Sequence, residues 1–170
     1  MTAYIVYESM FGNTAGLAES VAAGVATCLP VELVEVGDAP MIRDLVTELL
    51  IVGAPTHVFG LSRPRTRDDA VDRAGQVISD GRLMRDWIDS RSALSLSVAT
   101  FDTHVNAPIP GSAAKTMARL LTRRGCTLVT DPVSFQVAGT DGPVVSGELE
   151  RATEWGAYVA RRVGLRPSPA

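Results

Sequence analysis

Residues 48–55, ELLIVGAP, form a continuous apolar run, the pattern of a β-strand covered on both faces. A strand with no wet face needs helices above and below it, and the surrounding chain supplies them in alternation. TAYIVYE (2–8) reads as a strand, and residues 13–28 read as a helix with Leu17, Val21, Val25 and Cys28 on one face. VELVEVG (31–37) alternates apolar and acidic residues, as an edge strand with one wet face does. A weak helical turn is predicted over 40–47, a fourth strand over 92–100 (SALSLSVAT) and a fifth over 127–139 (TLVTDPVSFQVAG). The helix over 112–125 has Ser112 as its N-cap and Gly125 just past its end, and residues 147–164 form the closing helix. Residues 56–91 are irregular, a long loop followed by one broken or two short helices. The expectation is an α/β three-layer sandwich, with five parallel strands, helices on both faces and right-handed crossovers. Residues 1–164 form one domain in this reading and 165–170 a frayed tail.

Composition narrows the function classes. Apolar residues make up 46% of the 170 and charged residues 21%, an ordinary globular balance. No apolar run reaches the ~20 residues of a membrane span, and no basic segment precedes the first apolar stretch. The expectation is a cytoplasmic protein without a membrane partner. A formal charge of −3 and the lack of a long basic stripe argue against nucleic acid. Cys28 and Cys126 are far apart and are expected to be buried, reduced thiols, and two histidines do not assemble a His-rich metal centre.

In an open parallel sheet, ligands bind beyond the carboxyl ends of the strands. Three such ends carry unusual loops: 9–14, 55–67 and 100–111. The first, Ser9, Met10, Phe11, Gly12, Asn13 and Thr14, leads into a helix N-terminus, where unpartnered N–H groups and the helix dipole favour an anion. Ser9, Asn13 and Thr14 add side-chain donors, and Gly12 allows close main-chain approach. This combination suits a phosphate held without a cation; a helix cap with a glycine turn is the simpler alternative. The loop lacks the Lys of a P-loop, the G-x-G-x-x-G of a dinucleotide fold and the G-x-S-x-G of a serine hydrolase. The third strand ends in VGAPT, without the Asp of a phospho-acceptor domain.

Residues 9–14 resemble the flavodoxin phosphate loop, a hydroxyl residue and two variable positions followed by Gly-Asn-Thr. The element order over residues 2–164 is similar to that of short-chain flavodoxins, which implies a sheet of order 2-1-3-4-5. The resemblance also implies FMN at the carboxyl edge, with its phosphate in the first loop. Its ring would then lie between Pro55, Thr56, His57, Phe59 and Gly60 on one side and Thr100, Phe101, Asp102 and Thr103 on the other. Phe59 and Phe101 are the aromatic candidates for the ring faces; packing beneath the loops is their plainer role. Neither ring loop contains Trp or Tyr. The second loop carries Arg63, Arg65 and Arg67; within ~10 Å of the ring they would favour an anionic reduced flavin. The alternative for them is a solvated cluster paired with Asp68, Asp69 and Asp72.

The leading expectation is electron transfer to or from a redox partner protein or an NAD(P)H-linked reductase. One alternative is an FMN-dependent NAD(P)H oxidoreductase acting on quinones or nitro compounds. Another is a degenerate domain without flavin that acts through protein contacts.

Overall fold

The apolar run opens the centre of the sheet. In the computed structural model, which describes residues 2–57, 60–74, 78–89, 93–106, 108 and 111–164, strand β3 (Leu49–Pro55) is buried along all but its last residue. It pairs in parallel with β1 (Ala3–Tyr7) on one side and β4 (Ser97–Val105) on the other. β2 (Val31–Glu35) pairs with β1 and has no fully buried residue, Glu32 being exposed and the others partly buried, as its acidic alternation requires of an edge. The expected sheet order 2-1-3-4-5 is present. The expected tail, 165–170, and Phe59 lie outside the described residues.

The fifth position differs from the single strand of the sequence reading. It is two strands, β5 (Thr127–Leu128) and β6 (Val133–Val137), and both run parallel to β4. Register explains the break: β4 advances from Val98 to Phe101 while its neighbour runs from Leu128 to Val133, so two extra residues loop out. Pro132 sits in that loop, where a residue without an N–H cannot contribute to a ladder.

Successive β1 residues face opposite layers. Ile5, with Leu49, Ile51, Ala99 and Phe101, packs under helices α1 (Asn13–Ala26) and, in chain order the last helix, α5 (Glu148–Gly164). Val6, with Leu50, Val52, Ala54 and Val98, packs on the other side under the short helix α3 (Met84–Ile88) and α4 (Ala113–Arg123). The predicted turn at 40–47 is a 3-10 turn at Ile42–Asp44. The irregular stretch holds α2 (Pro64–Ala74) and α3, with Pro64 at the first helical position, where its missing N–H costs nothing. Leu17, Val21 and Val25 are buried as expected, whereas Cys28 is exposed because α1 ends at Ala26 and the chain leaves the layer; Cys126 is buried. Among the described residues, no helix is long and apolar enough to cross a membrane.

Candidate functional site

Every strand delivers its carboxyl end to one edge of the sheet, and α1 starts there. Gly12, at φ 94°, turns the chain into α1 in the left-handed region that glycine favours, and as the N-cap residue it offers no side chain to the helix. Ser9 is fully buried; its Oγ accepts the N–H groups of Gly12 (3.2 Å) and Ala15 (3.3 Å). The N–H groups of Phe11, Asn13 and Thr14 have no acceptor among the described residues. The first turn of α1 carries no acid, so its dipole is uncompensated. Met10 is buried and packs against the partly buried Phe11. The Asn13 side chain lies against Gly142, where an added Cβ would meet its Oδ1 at 2.4 Å. The Thr14 and Thr103 hydroxyls are 3.2 Å apart and join the first and third segments.

The start of α4 is the opposite case. Ser112 caps it as expected, its Oγ accepting the Lys115 N–H at 3.1 Å. The Ala113 N–H donates to Thr56 Oγ1 (3.0 Å), and the Ala114 N–H donates to Asp102 Oδ2 (2.9 Å), which also accepts the Ser112 hydroxyl (2.6 Å). Thr100 donates to the Ala114 carbonyl at 3.0 Å. Two helices thus begin at one sheet edge, one with its donors met by protein and one with the N–H groups of its first two residues, and that of Phe11 ahead of it, left open.

These contacts revise the expected ring loops. Thr100, Phe101, Asp102 and Thr103 lie within β4, which runs to Val105, and not in a loop beyond it. Thr103 is buried beside Thr14. Phe101 is a core residue and not a ring-face aromatic: its ring is fully buried, edge-on to Phe135 at 5.9 Å and to Trp155 at 6.0 Å. It crosses Gly53, where a Cβ would meet its Cζ at 2.1 Å, so only glycine fits beneath it. His57 and Gly60 exchange main-chain hydrogen bonds of 2.8 and 2.9 Å. Gly60 leans on α4: a Cβ there would lie 3.2 Å from Thr116 Oγ1. Pro55 and His57 are partly exposed at this edge, and Arg63 and Arg65 are exposed at the start of α2.

Several participants have no signal in the sequence. Ser79 and Ile78, between α2 and α3, return to the first loop: their N–H groups donate to the carbonyls of Ser9 (2.9 Å) and Met10 (3.1 Å). The Ser9 N–H donates to Ser79 Oγ at 2.9 Å. The buried Glu8 carboxylate accepts the Ser62 hydroxyl and, at 2.6 Å, the Met84 N–H that opens α3. Such long-range pairs leave no periodic trace; the turn residues around Gly142 signal a loop but not its approach to Asn13.

No protein-family model matches the chain, and no curated protein is similar to it. Solved structures do match in shape. A flavodoxin from the domain Archaea shares 19% identity over 96% of this chain and 99% of its own, with a TM-score of 0.68. Flavodoxin 2 from Bacillus cereus shares 19% identity over 95% and 99% of the two chains, with a TM-score of 0.65. The flavodiiron core of Flv1 from Synechocystis sp. shares 17% identity at a TM-score of 0.63; the match covers 96% of this chain and 36% of that one. The chain has the flavodoxin-like fold.

Proposed function

We propose that this protein binds FMN at the carboxyl edge of its sheet and passes electrons to or from a redox partner protein or an NAD(P)H-linked reductase. The observation that carries the reading is the contrast between the fully capped α4 and the open N–H groups of Phe11, Asn13 and Thr14 at α1. Open N–H groups at a helix start, here on the partly buried Phe11 and Asn13 and the buried Thr14, are suited to meet an anion. Neutral donors with no acid in the first turn suit a phosphate, so the residues present fit that end of the cofactor. Bound FMN would supply the redox chemistry; the chain would hold, orient and shield it. Ser9 would brace the loop, Gly12 admit the phosphate, and Asn13 and Thr14 donate to it. Pro55 and His57 would border the ring, and Phe11, in the first loop, is a partly exposed aromatic.

Asn13→Asp separates this function from stability. An acid in the first turn of a helix is favourable to the dipole, so the fold is kept or strengthened. Its charge opposes the phosphate, so FMN affinity falls at least about tenfold, ~1.4 kcal/mol, while riboflavin binding is unchanged. Flavin fluorescence and thermal shift read both ligands; equal losses for FMN and riboflavin, or none, would count against the phosphate site.

A flavin-free interaction domain is the second reading. Its support is that Thr56 and Asp102 are engaged at α4 and that Phe101 is buried in the core. Wild-type protein unshifted by saturating FMN would favour it.

A further inference from the structure

We propose that Ser79 is a positioning residue for phosphate recognition, acting through Ser9 on the open donors of the α1 N-terminus. The inference rests on the FMN reading and deepens it, because it assigns part of the site to the excursion between β3 and β4.

The excursion is fastened to the three residues that follow β1, Glu8, Ser9 and Met10. The Ser62 hydroxyl, ahead of α2, and the Met84 N–H, at the start of α3, both reach the carboxylate of Glu8. Between them, the Ile78 N–H donates to the Met10 carbonyl at 3.1 Å. Ser79 makes the most complete contact: its N–H donates to the Ser9 carbonyl, and its Oγ accepts the Ser9 N–H, both at 2.9 Å. Ser79 is fully buried, so water does not replace that hydroxyl as an acceptor.

The consequence runs through Ser9. With both main-chain groups of Ser9 held from the excursion side, its Oγ is left for the N–H groups of Gly12 and Ala15. That clamp sets the turn, and the turn decides where the N–H groups of Phe11, Asn13 and Thr14 point. Donors fixed in advance bind an anion more tightly than donors that must first be ordered. Ser79 touches no ligand in this arrangement; it keeps the first loop in one shape. The Ile78 side chain covers the same turn, its Cδ1 3.5 Å from where a Cβ on Gly12 would stand.

The test compares FMN with riboflavin, which has the same ring and lacks the phosphate. Dissociation constants for both are measured on the full chain, as wild type and as Ser79→Ala, with folding checked by far-ultraviolet circular dichroism. Loss of one buried hydrogen bond predicts a five- to tenfold fall in FMN affinity, roughly the value of such a bond, with riboflavin within about twofold of wild type. If Ser79→Ala fails to fold, Ser79→Cys, which keeps the shape with a weaker acceptor, is measured instead and must also lower the FMN preference. A variant that keeps the wild-type preference for FMN, or that loses both ligands equally, overturns the inference and leaves the FMN reading standing. Wild type without any preference for FMN overturns the phosphate site and this inference with it.

Discussion

Asp102 concentrates the residue-scale logic of this edge. Its fully buried carboxylate accepts from Ser112 and Ala114 through Oδ2 and has no partner for Oδ1 among the described residues. Asp102→Ala would strand a buried N–H and a hydroxyl, a loss of about 1–3 kcal/mol in urea unfolding, and Asp102→Asn, which keeps an acceptor oxygen, should lose less. Phe101 belongs to the same strand but to the opposite layer, where it meets Phe135 and Trp155. Phe101→Ala is expected to lower stability by about 3–5 kcal/mol through the cavity it leaves. An alternating strand shows which residues share a face. When both faces are buried, it does not show which one meets a ligand. Ser112 and Gly125 were legible because a cap and a left-handed turn depend on neighbours in the chain.

Elements were legible where their pattern is local. The strands, α1, α4 and α5 follow from apolar runs and 3.6-residue periodicity; the divided fifth strand does not, since a looped-out pair appears only against the register of β4. The α1–α5 contact is likewise a tertiary fact. A Cβ on Gly24 would meet the Thr153 carbonyl at 1.9 Å, and one on Gly156 would meet the Val21 carbonyl at 2.3 Å. Both obstacles are main chain, which cannot rotate away, so Gly24→Ala and Gly156→Ala must push the helices apart. Each is expected to cost about 1–3 kcal/mol, although alanine is the better helix former. A rise in stability on thermal unfolding would contradict this packing.

For the whole molecule, stability should follow pH through groups in different parts of the fold. Arg151 bonds to Glu148 and holds its carboxyl below the usual range, while Glu148 also accepts the Gln136 N–H at 2.6 Å and so ties α5 to β6. A lowered folded pKa stabilises fully above the unfolded value, about 4.3, and the gain disappears as pH falls through the folded one. Burial pushes the Cys126 thiol up, so its contribution is complete below about 8.5 and is lost as pH rises toward the folded value. Urea midpoints should therefore form a plateau between these limits, and Arg151→Met should shrink the acid limb while leaving the alkaline limb in place. The amino-acid sequence by itself determined the layers and the glycine turn that leads into α1 at 9–14, because hydrophobic period and turn chemistry act between near neighbours; the strand order was implied by the resemblance to flavodoxins and is seen in the pairing of the strands. Only the tertiary structure decided that α4 is capped by Thr56 and Asp102, that Phe101 is core, and that Ser79 returns to hold Ser9. Those outcomes depend on groups far apart in the chain meeting in a dry interior, where each buried donor must find an acceptor.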